Sequence, residues 1–89
     1  MTRTLALFRC VESDTLFRVR SESSKVYLDQ YDGSGYNMLY EIRVSGIINR
    51  YRRCVEEGRE LAESHTGGDV FRLEKTSENK VESFFEEVA

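Results

Sequence analysis

The hydrophobic pattern of the chain changes its period near residue 45. Before that point apolar and polar residues alternate in short segments, and from residue 47 to residue 62 apolar residues recur every three or four positions. Alternation is typical of half-buried strands, and the longer period is typical of an amphipathic helix. A chain of 89 residues holds one hydrophobic core. We therefore expect a single domain over residues 1–89 in which a sheet is followed by a helix.

The alternating half predicts an antiparallel β-meander of three or four strands. Its segments are 4–11, 15–21, 25–31 and 36–44, and residues 15–31 form either one bulged strand or two strands. The connections "ESD", "ESS" and "DGSG" are short enough for hairpins. "DGSG" is the clearest turn, since glycine takes a positive φ at little cost.

Alternation also assigns the two faces of the sheet. In 15–21, Phe17 and Val19 lie on one face, with Arg18 and Arg20 opposite. In 36–44, one face carries Met38, Tyr40, Ile42 and Val44, and the other carries Leu39, Glu41 and Arg43. One face is thus apolar and the other contains arginine, as expected for a sheet that a helix covers on one side.

The main helix is predicted over 45–64, with Ser45 as its N-cap. Its apolar stripe comprises Ile47, Ile48, Tyr51, Cys54, Val55, Gly58, Leu61 and Ala62. A glycine inside a helix costs about 1 kcal/mol relative to alanine. Gly58 therefore indicates either a close approach of the helix to a bulky sheet residue or simple tolerance of that cost.

The remaining residues predict a loop at 65–69, a fifth strand at 70–75 and an amphipathic helix at 77–89. Phe71 and Leu73 are expected to face inward, and the last helix carries Val81, Phe84, Phe85 and Val88 on one side. A right-handed crossover places the fifth strand parallel to the fourth. Antiparallel pairing at the other edge is the alternative. The sequence predicts an α+β fold.

Little in the sequence favours catalysis or the binding of a metal or cofactor. Cys10 and Cys54 are expected to be reduced and largely buried, and one histidine, His65, gives no metal-ligand spacing. No phosphate-loop motif is present. We expect a protein that is not an enzyme and uses no cofactor. We also expect a cytoplasmic location, in its own cell or a host, without membrane binding.

Three arginines in "INRYRRC", residues 48–54, oppose the helix dipole, which favours acidic residues at this end. Arg43, Arg50 and Arg53 are candidates to bind an anion, whereas helical-wheel arithmetic puts Arg52 on the other flank. The alternative is that these arginines pair with the C-terminal helix or with sheet carboxylates such as Glu41 and Asp29.

The charge layout favours a binding protein. Residues 55–89 carry ten acidic and four basic side chains, and the net charge of −3 argues against non-specific binding of nucleic acid. Our hypothesis is a protein-binding regulator or inhibitor that occupies a surface of a larger complex, such as a basic nucleic-acid-binding groove. The alternative is a nucleic-acid or phosphate-binding module, and a homodimer is also compatible. The candidate partner-binding residues are Arg43, Arg50, Arg52, Arg53, Glu82 and Glu86.

Overall fold

The structure, a computed structural model, describes residues 2–73 and confirms the α+β fold. Its elements are β1 (Thr2–Cys10), β2 (Leu16–Glu22), β3 (Lys25–Tyr31), β4 (Tyr36–Ile42), α1 (Arg50–Thr66) and β5 (Val70–Arg72). The strands form one sheet in the order β4-β3-β2-β1-β5, and β1 to β4 are the predicted meander. The helix predicted at 77–89 lies outside the described residues.

The fifth strand pairs antiparallel with β1, with Phe8 opposite Arg72. Of the two pairings that the sequence leaves open, the antiparallel one at the other edge is therefore correct, and the parallel one with β4 is not. The reason is where α1 ends. Gly68, just beyond the helix, lies beside Cys10 and Glu12 at the end of β1, so the chain re-enters the sheet at that edge.

The faces of β2 are as predicted, whereas β4 contains an irregularity. Phe17 and Val19 belong to the core under α1. In β4 the register shifts, so that Leu28 pairs with Tyr40 but Asp29 pairs with Met38. Leu39 occupies the extra position of this bulge and packs against the core. Met38 is consequently on the face opposite α1, not on the apolar face that alternation predicted.

The side chains of β5 are also turned relative to the prediction. Val70 is buried in the core, while Phe71 is 47% exposed. Leu73 packs against Leu7 and Tyr31 on the face away from α1. Pairing with β1 explains this orientation. Val70 lies opposite Cys10, which is a core residue, whereas Phe71 lies opposite Arg9, which is not.

The helix begins five residues later than predicted. Asn49 is its N-cap, with φ of 54° and no side-chain hydrogen bond, and Gly46 has φ of 81°. These left-handed residues break the helical path, so Ser45 is not the cap. Ile47 and Ile48, predicted in the buried stripe, are 88% and 79% exposed.

The later turns of α1 follow the predicted stripe more closely. Tyr51 is partly exposed, but Cys54, Gly58 and Ala62 are buried. His65 lies in the helix rather than in a loop. The helix ends at Gly67, which has φ of 72° and donates its N–H to the carbonyl of Glu63.

Gly58 lies at a close approach of the helix to the sheet. A β-carbon added to Gly58 would lie 2.5 Å from Cγ2 of Val19 and 3.2 Å from Cδ1 of Ile42. Carbon atoms in van der Waals contact are about 3.5–4.0 Å apart. The close approach suggested by the sequence is confirmed.

We expect Gly58→Ala to lower the free energy of unfolding by about 1–3 kcal/mol through overpacking. In an exposed helix the same change would stabilise by about 1 kcal/mol. Urea denaturation measures the difference, and Gly35→Ala is the control, since no atom lies within 4 Å of its added carbon. A smaller loss in a Val19→Ala background would assign the effect to this contact. A gain from Gly58→Ala would contradict it.

The turn of the β2–β3 hairpin consists of two serines. Glu22 pairs with Lys25, and Ser23 and Ser24 between them have φ of 50° and 68°. Two positive φ angles define a type I′ turn, which normally contains Asn-Gly. A left-handed conformation costs a non-glycine residue roughly 1–2 kcal/mol, so this turn is strained.

Replacing both serines, as Ser23→Asn and Ser24→Gly, should therefore raise the free energy of unfolding by about 1–2 kcal/mol. Ser45→Gly is the matched control, because Ser45 is not among the residues with positive φ. Thermal or urea unfolding of the two variants makes the comparison. Equal stability of both variants and wild type would show that the turn is not strained.

Candidate functional site

A groove of about 800 Å³ lies between the N-terminal half of α1 and the edge formed by β1 and β5. Its lining residues are Arg3, Leu5, Ile48, Asn49, Tyr51, Arg52, Arg53, Val55, Glu56 and Arg72. The lining thus combines four arginines with four large apolar or aromatic side chains.

Arg53 fixes one wall of the groove. Its Nε donates to the carbonyl of Ile48 at 3.2 Å, and one terminal nitrogen donates to the carbonyl of Gly46 at 3.2 Å. Gly46 takes a positive φ at little cost, but Asn49 does not, so these bonds stabilise a loop that the dihedral angles of Asn49 disfavour. Ile48 is held at the rim of the groove as a result.

Arg50 fastens the start of α1 to the sheet. A terminal nitrogen of its guanidinium donates to the carbonyl of Ser24 at 2.7 Å, and the group lies 5.8 Å from the ring centre of Tyr51. Arg50 is therefore next to the groove but is not one of its lining residues.

Positive charge is concentrated at this end of the molecule. Within residues 2–73, an aspartate or glutamate forms a salt bridge with Arg9, Arg18, Arg20, Arg43 and Arg59. Across the same residues, no salt bridge joins a carboxylate to Arg3, Arg50, Arg52 or Arg53. Glu56, the carboxylate in the groove lining, is paired with Arg59. The groove is therefore basic.

The predicted site residues are partly brought together. Arg52 and Arg53 line the same groove, although wheel arithmetic puts them on opposite flanks of the stripe. Arg43 is exposed and forms a salt bridge with Glu41, Nε to Oε2, at 3.2 Å, and it does not line the groove. Glu82 and Glu86 lie outside the described residues.

Sequence reasoning missed Arg3, Arg72 and the exposure of Ile48. The antiparallel alternative for the fifth strand was the signal for Arg72, because it puts this residue beside β1. Arg72 donates to the carbonyl of Leu5 in β1 at 3.3 Å. No sequence pattern identifies Arg3 as a groove residue, since its place depends on where α1 crosses the sheet.

Asp29 pairs with the sheet arginines, not with those of the helix. Its Oδ2 accepts from Nε of Arg18 at 3.2 Å and from Nε of Arg20 at 2.7 Å. The guanidinium of Arg18 lies 3.8 Å from the ring centre of Tyr36. This cluster is buried on the face away from α1 and is separate from the groove.

The two cysteines are buried, whereas the histidine is exposed on α1. Cys10 and Cys54 are free and buried, as predicted. Burial raises the pKa of the Cys54 thiol, whereas a hydrogen bond with the Ser13 side chain is the main reason that the pKa of Cys10 is lowered. The ring of His65 lies edge-on to Phe17 at 6.2 Å between centroids.

Residues 2–73 contain no group of three or more His, Cys, Asp or Glu side chains arranged to hold a metal ion. They also contain no helix that is long and apolar enough to cross a membrane.

Comparisons with protein-family models, with curated proteins and with solved structures find no match to this chain. The groove is therefore interpreted from its own residues.

The two neighbouring arginines of the groove should differ in their effect on stability. Arg53→Ala removes two hydrogen bonds to the loop and should lower the free energy of unfolding by about 1–2 kcal/mol. Arg52→Ala removes an exposed side chain and should change it by less than about 0.5 kcal/mol. Urea denaturation measures both variants. Equal losses would contradict the structural role of Arg53.

Proposed function

We propose that the protein is a protein-binding regulator or inhibitor that acts by occupying a surface of a larger complex through the basic groove. The observation that carries this proposal is the pair Ile47 and Ile48, 88% and 79% exposed, beside Arg52 and Arg53, which no carboxylate within residues 2–73 pairs with. Burying one such side chain in an interface is worth about 1.5–3 kcal/mol.

The isoleucines are held in place rather than loosely displayed. Arg53 bonds the carbonyls of Gly46 and Ile48, on both sides of Ile47. A rim that is ordered before binding loses less conformational entropy when a partner arrives. This favours a binding surface over an incidental exposure.

The groove indicates the chemistry of the partner. Leu5 and Val55 offer apolar surface inside it, while Arg3, Arg52 and Arg72 supply positive charge. Tyrosine and arginine are enriched at protein interfaces. The partner segment that fits combines a large apolar side chain with flanking aspartate or glutamate. The more specific hypothesis, that acidic side chains of this protein occupy a basic nucleic-acid-binding groove of the partner, depends on Glu82 and Glu86 and stays a prediction.

A nucleic-acid or phosphate ligand is the second candidate, and it is favoured by the charge of Arg3 and Arg52, which form no salt bridge with a carboxylate within residues 2–73. The apolar surface of Leu5, Ile48 and Val55 favours a protein, because phosphates make no use of it. Binding of nucleic acid must weaken steeply with salt, with a logarithmic slope near −0.9 per phosphate contacted.

Affinity capture with matched charge reversals tests the proposal. Wild type, Arg52→Glu and Arg43→Glu are immobilised and incubated with nuclease-treated lysate of cells that express the chain. Both variants change the net charge equally, but only Arg52 lines the groove. We expect a protein that wild type and Arg43→Glu retain and that Arg52→Glu retains about tenfold less. Ile48→Ser should weaken retention similarly.

Two results would count against the proposal. Equal retention by all variants would show that the groove is not the binding surface. Retention that occurs in a parallel untreated lysate but not in the nuclease-treated one, with a steep dependence on salt, would favour the nucleic-acid candidate instead.

A further inference from the structure

The sheet face away from α1 is buried at its centre. Leu7, Arg18 and Asp29 lie side by side across β1, β2 and β3, and their exposed fractions are 0%, 2% and 0%. The helix α1 packs on the opposite face, where Gly58 contacts Val19. Because α1 is the only helix in residues 2–73, the described elements supply no second layer over this centre.

An apolar cluster on this face marks where the chain leaves the sheet. Leu7 and Tyr31 form its buried part, and Leu16, Tyr36 and Leu73 pack against them. Leu73, the last described residue, donates its N–H to the carbonyl of Leu7 at 3.0 Å. The residues that follow therefore start at the edge of the buried centre.

We propose that residues 77–89 of the same chain cover this face. Val81, Phe84, Phe85 and Val88 have the spacing that places apolar side chains on one side of a helix. A helix over 77–89 is about 20 Å long at 1.5 Å per residue. Five strands at about 4.8 Å spacing span roughly 19 Å, so the segment matches the width of the sheet.

The charges of the segment also suit this face. In the buried centre the carboxylate of Asp29 accepts hydrogen bonds from both Arg18 and Arg20, and Arg20 also donates to the partly exposed Glu22. With two guanidinium groups around one buried carboxylate, an acidic neighbour is more favourable at this centre than a basic one. The segment provides two such neighbours beside its apolar positions, Glu78 and Glu82, and one basic residue, Lys80. This occupant is independent of the basic groove and of its proposed partner.

Nuclear Overhauser contacts in the full-length wild-type protein test the proposal directly. We expect contacts from the rings of Phe84 and Phe85 to the methyl groups of Leu7 and to the ring of Tyr31. Because no substitution is involved, the result does not depend on a variant that folds. Contacts from these rings to Ile48 and Tyr51 of the groove, or to none of the sheet residues, would overturn the proposal.

Thermal unfolding provides the second measurement. Phe84→Ala should lower the Tm by roughly 10 °C or more, as expected for truncating a buried phenylalanine in a small domain. Glu86→Ala, on the outer side of the same segment, should change it by less than about 3 °C. Equal Tm values for the two variants would overturn the proposal. Nuclear Overhauser contacts between residues 77–89 of one labelled copy and the sheet of a differently labelled copy would also overturn the proposal. They would show that a second chain covers this face.

Discussion

The contact of Gly58 with Val19 and Ile42 determines how close α1 lies to the sheet. A glycine at this position lets the helix backbone approach two branched side chains that any larger residue would displace. The close approach fixes the height of the N-terminal half of α1 above β1. The groove between α1, β1 and β5, which Arg52, Arg3 and Leu5 help to line, follows from that position.

The arginines divide into two groups by the oxygen atoms that they bind. Arg18 and Arg20 share the buried carboxylate of Asp29, so a carboxylate inside the fold compensates part of their positive charge. Arg50 and Arg53 donate instead to backbone carbonyls, which hold the left-handed loop before α1 but leave the positive charge uncompensated by described carboxylates. Those carbonyl bonds offset a placement that the helix dipole disfavours by a few tenths of a kcal/mol per residue.

Much of the fold is predictable because strands and helices repeat with different periods. The four strands of the meander are found within about two residues of their predicted bounds. The errors arise where a single backbone conformation interrupts a period. The left-handed residues Gly46 and Asn49 exclude Ile47 and Ile48 from the helix. The bulge at Leu39 moves the side chain of Met38 to the other face of the sheet. Of the groove, Arg52 and Arg53 were predictable, whereas Arg72 required the pairing of β5 and Arg3 required the position of α1.

The central claim is that a protein partner binds in the basic groove, and site-specific photocrosslinking tests it most directly. A photoreactive phenylalanine analogue replaces Tyr51, in the groove, or Tyr40, which is exposed outside it. After irradiation in expressing cells, the account predicts a covalent adduct with a protein from position 51 and none from position 40. An adduct from position 40 alone, or an adduct of position 51 with nucleic acid, would contradict it.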